Sequence, residues 1–264
     1  MSESTDKILA STRDGVGWLT INNPERRNAV SLEMLAAMGS AMQRFAADDA
    51  VRCVVIHGAG DKAFASGADI SQFEKNRATA DAADAYAKIS RGVRQQMLAF
   101  EKPLIAMIRG YCMGGGLGLA MTADLRVAAD DAVFAIPAAR LSIAYDVINI
   151  TNLVHLVGPS RAKEILLTAK RYDAQQALAM GLVNQVVAVA ELEAAVADIT
   201  ARLVENAPLS MRASKLTIDH VVKDAGERDM ALIEAAARAC FASEDYREGR
   251  TAFMEKRKPV FRGR

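Results

Sequence analysis

Ile108-Arg109-Gly110-Tyr111-Cys112-Met113-Gly114-Gly115-Gly116-Leu117-Gly118-Leu119-Ala120 joins an apolar run to a glycine cluster and then to a helix-like run. The order reads as a strand, a tight glycine turn and a helix start, which gathers unpaired backbone N–H groups at one point. Consecutive glycines at 114, 115 and 116 let a ligand atom approach that backbone, because no side chain intervenes. A developing negative charge would be stabilised there by main-chain donors and the positive end of the helix. The same run also fits a glycine-lined helix contact or a flexible loop, and alone it does not choose between them.

Upstream, Ile8 to Thr12 and Val16 to Ile21 flank Asp14-Gly15, the pattern of a hairpin closed by a tight turn. After the polar loop Asn22 to Asn28, Ser31 caps a helix reaching about Ala47, with Leu32, Leu35, Met38 and Met42 on one face. Met34 stands where a capping box would place Glu or Gln. Val51 to His57 is an apolar strand, and Gly58 to Asp69 reads as a second glycine-bearing loop. Glu74 to Phe100 reads as a helix whose polar early part, Lys75 to Ala87, is mobile or covers a site. Pro103 to Ile108 is the strand that feeds the glycine turn.

Downstream, Leu125 to Ala128 and Ala132 to Ile136 read as short strands, and Pro137 to Tyr145 as irregular. Helices dominate from Asn149 on, interrupted by a strand at Val183 to Val189. The amphipathic stretches Leu192 to Asn206, Leu209 to Val222, Asp229 to Phe241 and Ser243 to Lys256 pack on their own core or on a neighbouring subunit. Strands alternating with helices at this spacing predict a largely parallel sheet.

Composition sets bounds on function. The chain has 264 residues, 51% of them hydrophobic, enough for one large domain or a domain with a helical appendage. Lysines and arginines (33) balance aspartates and glutamates (32), which argues against a nucleic-acid partner. Cys53, Cys112 and Cys240 lie far apart, without metal-type pairing, so no disulfide or metal site is expected. No stretch approaches the roughly 20 apolar residues of a membrane span. The expectation is a soluble cytoplasmic protein with no membrane association. A dinucleotide site is disfavoured, because Gly114-Gly115-Gly116-Leu117-Gly118 lacks the fingerprint spacing and the acidic residue about 20 positions on.

Several stretches together resemble the crotonase superfamily, the enoyl-CoA hydratase/isomerase family. They are Asn23-Pro24-Glu25-Arg26-Arg27-Asn28-Ala29, Ala63-Phe64-Ala65-Ser66-Gly67-Ala68-Asp69-Ile70, Gly110-Tyr111 with the glycine triplet, and Thr122-Ala123-Asp124-Leu125. The last are Ser243 to Gly249 and Ala252 to Pro259, so the likeness runs nearly the whole chain in family order. It implies an α/β fold: a crotonase-like spiral of ββα units over residues 1–200, then a C-terminal helical trimerisation region over 201–264. It also implies a homotrimer or dimer of trimers, acyl-CoA thioester substrates, and no cofactor beyond the coenzyme A of the substrate.

By the same resemblance the N–H groups of Ala68 and Gly115 form an oxyanion hole for the thioester carbonyl. The coenzyme A nucleotide falls near Arg26, Arg27 and Ala29, with the adenine against Ala65, Asp69 and Ile70. Phe253 and Lys256, on this subunit or a neighbouring one, complete that end. The alternatives are a helix N-cap for Asp69 and a solvated helix end for Lys256-Arg257-Lys258.

The chain also departs from the family pattern. Hydratases of the family use two glutamates, and at those positions this chain has Gly118 and Ala138. Each acid/base group is typically worth about 10² to 10⁴ in rate. Small residues there would also enlarge an acyl pocket. Leu141 to Asp146 and Asn149 to Leu153 partly resemble methylmalonyl-CoA decarboxylases, which carry a tyrosine where Tyr145 stands. Decarboxylation needs only the electron sink of the oxyanion hole. Asp146 matches the nucleophilic aspartate of the family's aryl-CoA dehalogenases, so it is a candidate base or nucleophile; its alternative is a cap on the helix from Val147. Tyr145 is a candidate donor or else a wall residue. His57 and His155 read as packing residues. The expected chemistry is lyase-type, hydration/dehydration or decarboxylation, with a catalytically degenerate acyl-CoA-binding protein as the alternative.

Overall fold

A computed structural model describes residues 6–69 and 80–264. The calls on Ile70, Glu74 and the first part of the predicted 74–100 helix lie outside the described residues.

The chain opens with the expected hairpin, β1 (Ile8–Arg13) and β2 (Val16–Ile21), paired antiparallel with Arg13 opposite Val16. Asp14 and Gly15 both have positive φ (52° and 78°), the turn whose twist matches the flanking strands. Helix α1 (Leu32–Ala47) starts where Ser31 Oγ accepts the Met34 N–H at 3.2 Å. Met34, Leu35, Met38, Met42 and Phe45 are buried, while Leu32 is only half-buried.

A repeated pattern follows. β3 (Cys53–Gly58) is followed by β4 (Ala63–Ala65) and α2 (Ala80–Leu98); β5 (Leu104–Ile108) by β6 (Tyr111–Met113) and α3 (Gly115–Ala120). β7 (Leu125–Ala129) is followed by β8 (Val133–Ala135), a 3-10 turn at Pro137–Leu141 and α4 (Val147–Thr168). In each unit the first strand joins a six-stranded sheet of order β1-β2-β3-β5-β7-β10, with β10 at Gln185–Val187. The second joins a four-stranded sheet, β4-β6-β8-β9, with β9 at Tyr172–Asp173. All pairs from β2 to β10 in the first sheet are parallel. The chain thus winds in ββα turns, as the resemblance implies.

Two expectations are corrected. The 58–69 stretch is not wholly loop, because Ala63–Ala65 forms β4. The glycine run is not one turn between strand and helix, because Tyr111–Met113 forms β6 first. Both strands have three residues, too few to establish an alternating pattern.

The larger sheet is buried on both faces, so its strands read as unbroken apolar runs. Along β3, Val54 and Ile56 face the main core with α1, while Cys53 and Val55 face a second cluster with Leu192 and Val196 of α6 (Leu192–Glu205). α6 spans the expected junction at residue 200. Beyond it come α7 (Pro208–Val221), α8 (Met230–Ala242) and α9 (Glu244–Glu255). No helix among the described residues is long and apolar enough to cross a membrane.

Asn28 ties the loop before α1 to the β3–β4 connection. Its Nδ2 donates to the Ala59 and Ala63 carbonyls at 2.9 and 2.7 Å, and its Oδ1 accepts the Asn23 N–H at 2.9 Å. Asn28→Ala leaves these buried groups unpaired and puts a less tolerant residue at φ 55°. Stability should fall by roughly 2–4 kcal/mol, read as a lower urea midpoint.

Candidate active site

The site forms where the four-stranded sheet meets the start of α3. At Gly116 a Cβ would collide with the Ala65 carbonyl, so only glycine lets this turn lie against β4. Gly114, the residue before α3, has φ 49° and ψ −116°, a conformation closed to residues with a side chain. These two demands account for the glycine triplet at its ends.

The middle glycine faces the Gly67–Ala68 segment. A Cβ on Gly115 would lie 3.5 Å from the Ala68 nitrogen, and one on Gly67 would lie 3.5 Å from the Gly115 nitrogen. Residues 67–69 are held by Val30, just before α1: Val30 N–H donates to Gly67 O at 2.8 Å, and Asp69 N–H donates to Val30 O at 3.0 Å. This parallel bridge pairs Val30 with Ala68 and leaves the Ala68 N–H without a backbone acceptor among the described residues. Gly115 begins α3, so its N–H has no acceptor within the helix. The two N–H groups are neighbours on the wall of one cavity of about 700 Å³.

That cavity is lined by Leu35, Leu119, Ile136, Ala138 and Ile143, among other apolar groups. Its polar lining includes Ser90, Arg91, Arg94, Tyr145, Asp146 and Asn149. Asp146 is its one carboxylate among the described residues. A second hollow, about 860 Å³, lies between α1, the end of α2, α7 and the Arg262–Arg264 tail. It is larger, but neither Ala68 nor Gly115 borders it.

Tyr145 and Asp146 are both in the site, each with a structural partner. The Tyr145 hydroxyl donates to the Gly114 carbonyl at 2.9 Å, which pins the turn that presents Gly115. Burial pushes its phenol above the ordinary value, so it remains a protonated donor at neutral pH. Asp146 caps α4: its Oδ1 accepts the Ile148 N–H at 2.9 Å, and its Oδ2 meets Arg91 Nη2 at 3.3 Å. Arg94 Nη1 donates to Ser90 Oγ at 2.7 Å.

The residues assigned to the nucleotide end divide into two groups. Arg26, Arg27 and Ala29 lie on the strap that runs beside 65–69; the Ser66 N–H donates to Arg27 O at 3.0 Å. The Arg26 guanidinium reaches Asp69 at 3.1 Å, and the Arg27 guanidinium lies 5.3 Å from the Tyr111 ring centroid. Ala65 is buried under the strap. Phe253 and Lys256, by contrast, are exposed on or just after α9 and do not border the cavity of their own chain.

Gly118 is buried beneath the cavity wall; a Cβ there would lie 2.8 Å from Asn149 Oδ1. Ala138 borders the cavity directly. The histidines differ from each other. His57 is a packing residue, its Nε2 2.9 Å from Thr20 Oγ1, with burial lowering its pKa. His155 is exposed, so the packing role expected for it is corrected: the face of α4 that it occupies is turned outward. No group of three His, Cys, Asp or Glu side chains suited to a metal occurs among the described residues.

Sequence comparison fits this arrangement. A family model described as enoyl-CoA hydratase/isomerase matches residues 11–264. The chain belongs to the enoyl-CoA hydratase/isomerase family. Among its relatives, crotonyl-CoA hydratase of Syntrophomonas wolfei is 36% identical over 256 residues, covering 97% of this chain and 98% of that protein. Carnitinyl-CoA dehydratase of Salmonella typhi is 34% identical over 270 residues, covering all of both chains. The crystal structure of an enoyl-CoA hydratase/carnithine racemase from Magnetospirillum magneticum superposes with a TM-score of 0.92 at 35% identity, covering 99% of this chain and 97% of that one. The crotonase-fold spiral is therefore shared with members of the family.

The sequence did not single out Asn28, Arg91, Arg94 or Asn149. Asn28 and Asn149 are single polar residues whose partners lie far along the chain, and no local pattern marks them. Tyr145→Phe removes one of the two hydrogen bonds that the Gly114 carbonyl accepts, leaving the one from the Gly118 N–H at 3.0 Å. It should lower stability by about 1 kcal/mol, measured as the shift in urea midpoint.

Proposed function

We propose that the protein is an acyl-CoA lyase of the hydratase/dehydratase kind, working through a thioester enolate. The observation that carries this reading is the neighbouring pair of N–H groups, Ala68 and Gly115, without an acceptor among the described residues and on residues that wall an apolar cavity. A thioester carbonyl accepting from both would gain stabilisation as negative charge grows on its oxygen, without reorganisation at the moment of reaction. Tyr145 acts in this scheme as a positioning residue, through its hold on Gly114. Membership of the family and the β-carbon chemistry in the names of its hydratase and dehydratase relatives support the same reaction class.

Asp146 is the group proposed for proton transfer. In the elimination direction its carboxylate takes the proton from the carbon next to the thioester, and the electron pair moves into the carbonyl. The enolate pair then returns to form the double bond as the β-oxygen leaves with its bond pair and takes up the proton that Asp146 holds, giving water and the conjugated ester. Gly118 and Ala138 bring no carboxylate, so one acid/base group serves where the family pattern has two. Decarboxylation remains within the same scheme, since it uses the electron sink alone. Arg26 and Arg27, with the backbone around Ala29, Ala65, Asp69 and Ile70, are assigned to the coenzyme A nucleotide, whose phosphates suit guanidinium partners. The thioester enters as substrate, and no metal or redox cofactor is called for in this scheme.

The absence of side-chain carboxylates at 118 and 138 also favours a second reading, a binding protein with degenerate catalysis. The two separate on crotonyl-CoA hydration, followed by loss of the conjugated thioester absorbance. Gly115→Ala puts a methyl at ordinary contact distance from the Ala68 nitrogen, 3.5 Å, so the fold should tolerate it. Its rate should fall by about 10² to 10³ as the methyl crowds the donor pair. Asp146→Asn retains a helix-capping side chain, and its rate should fall by about 10² to 10⁴ with ester affinity retained. A wild-type protein that binds the ester and never turns it over would leave the binder.

Residues 201–264 are assigned to trimerisation, as a homotrimer or a dimer of trimers. Ile218, Val221, Met230, Leu232, Phe241 and Phe253 are exposed along α7, α8 and α9, an apolar surface suited to subunit contact. Phe253 and Lys256 would then meet a neighbour's nucleotide end. Sedimentation equilibrium should return three or six protomer masses; a monomer across micromolar concentrations would refute this.

A further inference from the structure

Gly118 does not leave an empty place in the protein. Asn149, third residue of α4, sends its side chain into the space that a side chain on residue 118 would need, with Oδ1 2.8 Å from the position of a Cβ there. Asn149 borders the cavity, is 1% exposed, and its Oδ1 has no hydrogen-bond partner among the described residues. A buried amide oxygen left unpaired is costly, so such a group in a cavity wall calls for an account. Packing alone does not supply one, since a leucine of similar volume would fill the space without the cost of an unpaired oxygen.

We infer that Asn149 is a specificity-determining residue, whose amide oxygen accepts the O–H of a hydroxyl on the β-carbon of the acyl chain. The inference rests on the acyl-CoA reading of this cavity. An acceptor suits a hydroxyl, which brings a proton, and disfavours a carboxylate, which brings none. The terminal torsion of an asparagine is soft, so a small rotation turns the oxygen from Gly118 towards the cavity. Unlike a glutamate at residue 118, the amide has no proton to give or take near neutral pH. It therefore holds the oxygen while Asp146, which caps the same helix, supplies the carboxylate lining the same cavity.

The test compares two probes that differ only by that hydroxyl, 3-hydroxybutyryl-CoA and butyryl-CoA, titrated calorimetrically into the oligomer as purified. The wild type should bind the hydroxy ester about tenfold more tightly, the worth of one hydrogen bond to an otherwise unpaired acceptor. Asn149→Leu should bind both esters equally, with butyryl-CoA affinity unchanged. Loss of a merely structural role would weaken both esters together. Asn149→Ala gives a second variant should Asn149→Leu fail to fold, because it removes the same oxygen without adding bulk and should erase the same preference. A wild type that binds both esters equally, or a preference that survives both substitutions, overturns the inference alone. A wild type that binds neither ester overturns the acyl-CoA reading and this inference with it.

Discussion

At Gly116 the first turn of α3 lies so close to the Ala65 carbonyl that a methyl group has no room. That contact sets the separation between the 65–68 segment and the 114–116 turn, and most of the site follows from it. With β4 and β6 paired in one sheet, the chain leaves each strand and turns, and the two turns meet without side chains between them. Backbone N–H groups normally find partners inside a protein. Here the meeting of a helix start with a bridge to Val30 leaves two of them, from Ala68 and Gly115, without a protein acceptor among the described residues, on residues that border one cavity.

The rest of the structure supports that meeting from several sides. Asn28 holds the β3–β4 connection, and Val30 brackets Ala68 through hydrogen bonds to its two neighbours. Tyr145 holds Gly114 from the opposite wall. Each hydrogen bond contributes modestly, yet together they hold the two turns against each other, as the proposed donor pair would require. The apolar lining matters for the same reason, because a developing charge is stabilised more strongly by fixed dipoles where water is excluded.

Much of this was legible in the sequence. The Asp14-Gly15 turn, the Ser31 cap and the alternation of apolar strands with helices follow from local chemistry, and the structure keeps all three. The glycine triplet left a ligand-facing backbone and a plain helix contact both open, and the demands on Gly114 and Gly116 became visible only with coordinates. The short strands β4 and β6 escaped notice because three residues carry no period, and their partners are each other. Asp146 left two roles open in the sequence, and its capping of α4 became visible only with coordinates. Asn149 was out of reach, since nothing local connects it with Gly118, 31 positions away in the numbering. His155 shows the converse error: its sequence neighbours on α4 are largely apolar, yet its own position is exposed.

The central claim is that Ala68 and Gly115 polarise a thioester carbonyl. Isotope-edited infrared spectroscopy of crotonyl-CoA, labelled at the thioester carbonyl and bound to the protein, reads that polarisation directly. The account predicts a carbonyl stretch displaced to lower frequency on binding, with the displacement lost in Gly115→Ala. A bound ester whose carbonyl stretch stays at its free value would contradict it.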